Sequence, residues 1–353
     1  MWQTLGYPRV VETMDRALRH GRPAHAYLIV GPARVGKRRL AIDLAKAINC
    51  AGTNPPCGDC RSCDRIERGL QVDIESVGLL EEDGRRRKLI GLQQIQALQH
   101  QAHLAPFEGR YRVLIIDPAD LLTSEAANCL LKTLEEPPER VVLILLANSA
   151  ARILPTIVSR CQRIDLRPLP AEAIAGTLER RTGLFPDRGG EIARRARGRL
   201  GWALTAATDP EFESARRAAV AEAAGLAYLP LADRLVLVGR LATEFGKERQ
   251  AVLDRLSIWL EWWRDVLLVA LGCADLAVNR DWADELSRQA TEFGQESVRQ
   301  TIRCIETAAQ QLNDNANARL ALDVMFLSLP TSSYPPPVGR QAADQAADLP
   351  ADA

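Results

Sequence analysis

The chain has 353 residues, 45 basic and 45 acidic, for a formal net charge of zero, and 47% of its residues are apolar. That length holds two or three domains, each with its own core. A balanced charge excludes a polyanion binder announced by composition alone, so any nucleic-acid role needs a local patch or assembled partners.

The opening residues, "MWQTLGYPRVVETMDRAL", lack a basic segment followed by an apolar one, so no export signal is expected. The longest apolar stretch, "VLLVALGCADLAV" (266–278), is too short and too interrupted to span a bilayer. The expectation is a soluble cytoplasmic protein with no membrane partner. From 26 to 168, short apolar strands alternate with helical segments. The strands are "AYLIV" (26–30), "VDIESV" (72–77), "YRVLIID" (111–117), "VVLILLAN" (141–148) and "RIDLR" (163–167). Helical spacing runs over 36–49, 91–103, 124–135 and 152–159. Nearly all-apolar strands separated by helices predict a parallel α/β sheet covered on both faces.

"RPLPAEA" (167–173) punctuates the end of that core. Short Arg- and Ala-rich helices are expected from 170 to about 207, then long amphipathic helices to about 330. The expected domains are a core over 1–168, a helical lid over 169–208, an all-α domain over 209–333 and a disordered tail over 334–353. The tail, "YPPPVGRQAADQAADLPADA", has almost nothing to bury.

"CAGTNPPCGDCRSC" places thiols at Cys50, Cys57, Cys60 and Cys63. In a cytosolic chain such clustering reads as a metal site rather than disulfides. Four thiolates around one ion suit structural Zn²⁺, with no open position for chemistry. A redox C-x-x-C pair, chance clustering and an iron–sulfur cluster are the alternatives.

"GPARVGKRRLAID" (31–43) follows the first strand and opens a helix. Gly31, Gly36 and Lys37 outline a phosphate loop, G-x-x-x-x-G-K, but Arg38 stands where a Mg²⁺-holding hydroxyl belongs. A guanidinium and Mg²⁺ share that position poorly. Asp117, at the end of "RVLIID", has the place of the second metal-site acid, and Pro118 follows it where a catalytic glutamate is usual. Proline cannot take a proton from water. Nucleotide binding stays open, and metal-assisted hydrolysis is not expected.

"PAHAYLIVGP" (23–32), "AANCLLKTLEEPPE" (126–139), "LLANSAARILPTIVSRCQRIDL" (145–166) and "NDNANARLALDVMFLSL" (313–329), together with the four-cysteine insertion, resemble the bacterial DNA polymerase III clamp-loader subunits. The resemblance covers nearly the whole chain and is specific in the combination of its motifs. It implies an AAA+ core with a RecA-like sheet, a helical lid and a helical collar. Lacking a hydroxyl at 38 and an acid at 118, and with Gly201 of "GRLGWAL" (198–204) where the family's lid arginine falls, the chain looks like the non-hydrolysing δ′ type. The alternatives are an active γ/τ-type ATPase and an unrelated zinc-stapled DNA-binding module. By the same resemblance, Arg160 of "SRC" is an arginine finger offered to a neighbour's ATP, and Asn148 holds a sensor position. The partners implied are γ/τ and δ subunits, with the sliding clamp and primed DNA reached through the complex. Zn²⁺ is the implied cofactor, ATP or ADP stays open at Lys37, and no catalytic Mg²⁺ is implied.

Other features have plainer readings. "SIWLEWWRDVLL" (257–268) reads as core and subunit contact of the helical domain, with cofactor or base stacking as the alternative. Arg85, Arg86, Arg87 and Lys88 read as a solvated hairpin tip, with a contact to DNA phosphates as the alternative, and the cluster Arg194, Arg195, Arg197 and Arg199 is open to the same two readings. His20, His25, His100 and His103 show no metal-site spacing. Cys129, Cys161, Cys273 and Cys304 read as buried small apolar residues.

Overall fold

Residues on alternate sides of each strand explain the first architecture. The computed structural model describes residues 2–20, 23–82, 85–86, 89–314 and 316–332. Two compact units result, Met1–Thr208 and Asp209–Ala353. The expected tail and Arg87 and Lys88 lie outside the described residues, and only the backbone of Arg85 and Arg86 is described.

The first unit runs α1 (Pro8–Arg19), β1 (Ala26–Val30), α2 (Lys37–Asn49), α3 (Arg61–Glu67), β2 (Ile74–Val77), β3 (Glu81–Glu82), β4 (Arg85–Arg86), α4 (Leu92–Ala102), β5 (Arg112–Ile116), α5 (Ser124–Glu135), β6 (Val141–Ala147), α6 (Pro155–Val158), β7 (Gln162–Asp165), α7 (Ala171–Thr182), α8 (Pro186–Ala196) and α9 (Leu200–Thr208). Five strands form one parallel sheet in the order β2-β5-β6-β1-β7, and β3 and β4 pair as a separate antiparallel hairpin. Every residue of β1, β5 and β6 is buried. Leu28, Leu114, Leu143 and Leu145 face a core shared with Ile95, Leu98, Leu130 and Ile157. Tyr27, Ile29, Ile144 and Leu146 face the opposite core, with Leu40, Leu44, Ile48 and Met14. Period-two side-chain alternation thus feeds two apolar layers, and helices cover both faces. Together with the phosphate-loop turn between β1 and α2, this is the RecA-like α/β arrangement.

The second unit is helical: α10 (Pro210–Gly225), α11 (Leu231–Lys247), α12 (Arg249–Ala270), α13 (Ala283–Asn313, broken at Gly294) and α14 (Ala318–Ser328). Trp259, Trp262 and Trp263 of α12 are fully buried in its core. Trp259 meets Phe326 edge-on with ring centroids 5.6 Å apart, and the Trp262 indole N–H donates to Gln289 Oε1 at 2.9 Å. The tryptophans are therefore packing, as aromatic bulk at a helix crossing favours. Among the described residues no helix is long and apolar enough to cross a membrane.

Candidate functional site

The loop between β1 and α2 must turn the chain sharply off the sheet. Gly36 takes φ 118°, in the left-handed region a side chain resists. Arg34 also sits there, at φ 61°, which costs a non-glycine residue about 1 kcal/mol. The loop, the start of α2 and the C-terminal ends of β5 and β6 enclose a cavity of about 430 Å³, lined in part by Gly36, Lys37, Arg38, Asp117, Pro118 and Asn148.

Lys37 is buried and folded back. Its Nζ donates to Gly31 O at 2.6 Å, Pro32 O at 3.0 Å and Asn148 Oδ1 at 2.8 Å. Burial lowers its pKa, opposed by the nearby carboxylates of Asp117 and Asp120. Arg38 reaches Asp117, Nη1 to Oδ2 at 3.4 Å. Burial raises the Asp117 pKa, while Arg38 and Lys37 pull it down. The two side chains that flank a metal position in a phosphate-loop site are thus paired with each other. Pro118 forms part of the cavity wall and presents no acid or base. The pocket can offer cations and first-turn N–H groups of α2 to a phosphate chain, with no proton acceptor at 118.

The first turn of α9 meets this loop. The Gly201 N–H donates to the Arg34 carbonyl at 2.8 Å, and a Cβ at 201 would stand 2.7 Å from that oxygen. A side chain at position 201 would require α9 or the Arg34 backbone to shift. The contact between Lys37 and Asn148 and that between Gly201 and Arg34 are both absent from the sequence reading, since neither pair is near in the chain.

Arg160 stands elsewhere. It follows α6, between fully buried Ile157 and half-buried Cys161, whose thiol burial pushes up to about 12. Its guanidinium meets Glu135, Nη2 to Oε1 at 2.8 Å, and Nη1 donates to Thr156 O at 3.0 Å. The side chain remains 36% exposed. Register fixes its height on the sheet. Tyr27 pairs with Gln162 and Val30 with Asp165, so Arg160 lies beyond the N-terminal end of β7. The phosphate loop leaves the opposite end. At about 3.3 Å per residue the separation along the strands is roughly 15 Å, farther than an arginine side chain reaches.

The four cysteines converge. Cys50 follows α2, Cys60 caps α3 and Cys63 lies within it. All four Sγ atoms lie within 4.8 Å of one another, with Cys50 and Cys60 4.0 Å apart. Four sulfurs at 2.3 Å from a tetrahedral Zn²⁺ would stand about 3.8 Å apart. Backbone N–H groups of Gly52 and Cys57 donate to Cys50 Sγ, that of Cys60 to Cys57 Sγ and that of Cys63 to Cys60 Sγ, a pattern that supports thiolates. Burial pushes Cys50 up and Cys63 up to about 12. Cys60 is also partly buried, yet the N–H groups of Cys63 and Ala51 bring it down to about 6, and N–H donors likewise lower Cys57. The cluster can hold a metal ion such as zinc.

One reading of the other cysteines is corrected. Cys273 is exposed, because the chain leaves α12 at Leu271–Gly272 and turns outward before a short 3₁₀ segment. Cys129, Cys161 and Cys304 are half-buried.

The family described as "DNA polymerase III, delta subunit" matches residues 6–170. The DNA polymerase III subunit delta′ of Bacillus subtilis is 30% identical over 91% of this chain and 95% of its own length. DNA polymerase III subunit tau of the same organism is 35% identical over 50% of this chain, and gamma/tau of Mycobacterium tuberculosis 29% identical over 94%. The chain spans only 30% and 61% of those two relatives. A solved gamma subunit-related protein of Thermotoga maritima, 18% identical, covers 90% of this chain and 98% of its own, with a TM-score of 0.48. Similarity to delta′ along almost the entire length of both sequences means that the chain belongs to the DNA polymerase III δ′ family of AAA+ clamp-loader-type subunits.

Proposed function

We propose that the chain is the non-hydrolysing, δ′-type stator of a DNA polymerase III clamp loader, and that it lends Arg160 to the ATP site of a neighbouring subunit. The observation that carries this reading is the placement of Arg160 at the sheet end opposite its own phosphate loop. An arginine that cannot reach the pocket of its own chain, yet is exposed and oriented, is suited to service in trans. Its planar, permanently charged fork matches the developing charge on a transferring phosphoryl group. The pairing of Arg38 with Asp117, and Pro118 beside them, support the absence of catalysis in cis. Accordingly we expect no catalytic Mg²⁺, and ATP or ADP at Lys37 only as a weak ligand.

In this reading α7–α9 form the lid and residues 209–333 the collar that joins γ/τ- and δ-type partners. Cys50, Cys57, Cys60 and Cys63 hold a structural Zn²⁺ that staples the insertion between α2 and β2. The sliding clamp and primed DNA are met through the assembled complex.

Arg160→Ala in a complex reconstituted with γ/τ- and δ-type partners, clamp and primed DNA tests this. Assembly stays intact and single-turnover hydrolysis at the served site slows by roughly 10³-fold or more; unchanged hydrolysis refutes the role. The similarity to tau and the retained Lys37 favour one alternative, a γ/τ-type ATPase. Sustained turnover by the isolated chain with ATP and Mg²⁺ selects that alternative.

A further inference from the structure

We infer that Glu135 is a positioning residue for Arg160, holding the guanidinium in its delivery orientation before a neighbour arrives. The inference rests on the reading of Arg160 given above. Glu135 is the last residue of α5, where a carboxylate opposes the negative end of the helix dipole. A side chain set against its local electrostatic preference calls for a compensating contact, and here the contact is Arg160 at 2.8 Å.

Both partners stand on fixed backbone. Leu134, preceding Glu135, and Ile157, at the turn that carries Arg160, are buried in one apolar core. Helices α5 and α6 pack on each other there. Arg160 is therefore held from two elements, by Glu135 on one side and by the Thr156 carbonyl and Ser159 hydroxyl on the other. These contacts engage both Nη groups, and a guanidinium carries five N–H donors, so donors remain for a phosphate oxygen. A flexible arginine loses rotamer freedom when it docks; one already oriented loses less. Because the pair is partly exposed, at 36% and 51%, the benefit is that of a surface ion pair.

The test uses the reconstituted complex. Glu135→Ala lowers the turnover served by Arg160 roughly two- to fivefold, with KM for ATP unchanged. Glu135→Gln, which keeps an acceptor oxygen, recovers part of the loss. In an Arg160→Ala background Glu135→Ala adds nothing, and the melting temperature of the isolated chain does not move beyond that of the Gln variant. Unchanged turnover in Glu135→Ala, with Arg160→Ala slow, overturns the role of Glu135 and leaves the finger standing. A further loss on top of Arg160→Ala overturns it too, by making Glu135 part of the fold or the interface. Full activity in Arg160→Ala removes the reading on which the inference rests.

Discussion

Replacing Arg38 by threonine should turn a metal-indifferent pocket into a metal-dependent one. In the parent chain the guanidinium lies 3.4 Å from Asp117, the carboxylate that would otherwise support a divalent ion. A Mg²⁺ ion admitted about 4 Å from a unit positive charge meets a repulsion of roughly 8 kcal/mol at an effective dielectric of 20 and about 2 kcal/mol in bulk water. The Arg38 side chain is 66% exposed, so the water limit is the fair choice. Relieving about 2 kcal/mol corresponds to roughly a 30-fold change in an equilibrium constant. The threonine also restores a hydroxyl for the ion. The prediction is that Arg38→Thr binds ATP at least about 30-fold more tightly in Mg²⁺ than in EDTA, whereas the parent shows a ratio near one. Titration of a fluorescent ATP analogue in the two buffers measures both ratios. Hydrolysis by the variant stays absent, since Pro118 still offers no proton acceptor. A parent chain with the same strong Mg²⁺ dependence as the variant would refute the reasoning, because Arg38 would then not be occupying the metal's place.

Cys60→Ser should drop bound zinc from about one ion per chain to well below it, by elemental analysis. Limited proteolysis should then cut within 50–63 while the sheet resists; full zinc retention would reject a four-thiolate site. Glu67→Gln should show a pH-dependent penalty. The hydrogen bond from Arg39, with Lys46 assisting, holds Glu67 down to about 2, against an ordinary value of 4.5. A depressed folded pKa stabilises above the unfolded value and loses that stabilisation as pH falls from about 5 toward 2. Glu67 is 41% exposed, so the screened penalty at pH 7 is about 1 kcal/mol. Thermal melts of the two chains should converge near pH 2, and a gap that persists there would assign the loss to packing.

What the sequence made legible follows from how local each signal is. "AYLIV" and "VVLILLA" announce strands because a parallel sheet covered on both faces leaves no polar alternation. The phosphate loop and Asp117 were readable because both sit directly at strand ends. Helix α1 was missed although Val10, Val11, Met14 and Leu18 recur at helical spacing and Val10 and Leu18 face the core around Met14; the opening residues were weighed only as an export signal. Helix α3 is seven residues long and capped by Cys60, too short to show a period. The contacts that define the site are non-local. Lys37 and Asn148 are 111 residues apart, and no spacing rule joins them. Gly201 could be read as a missing arginine, but not as a backbone donor seated on Arg34.

The parallel sheet itself supplies the remaining logic. Its strands all run one way, so every loop at their C-terminal ends gathers on one rim, and every entry turn gathers on the other. Lys37, Arg38, Asp117 and Asn148 belong to the first rim. Arg160 belongs to the second, since β7 begins just after it. Changes that disable metal chemistry on one rim therefore need not disturb the other. Arg38 can occupy the place of an ion, and Pro118 that of an acid, while Glu135 and Thr156 still present the Arg160 guanidinium on the far side. In the clamp-loader ring proposed above, successive subunits would meet head to tail, the kind of contact that closes a ring, and Arg160 would face the pocket of a neighbour. Under that proposal the contribution of this chain lies in Arg160 rather than in its own pocket, and the rate its neighbour achieves is where that contribution is to be measured.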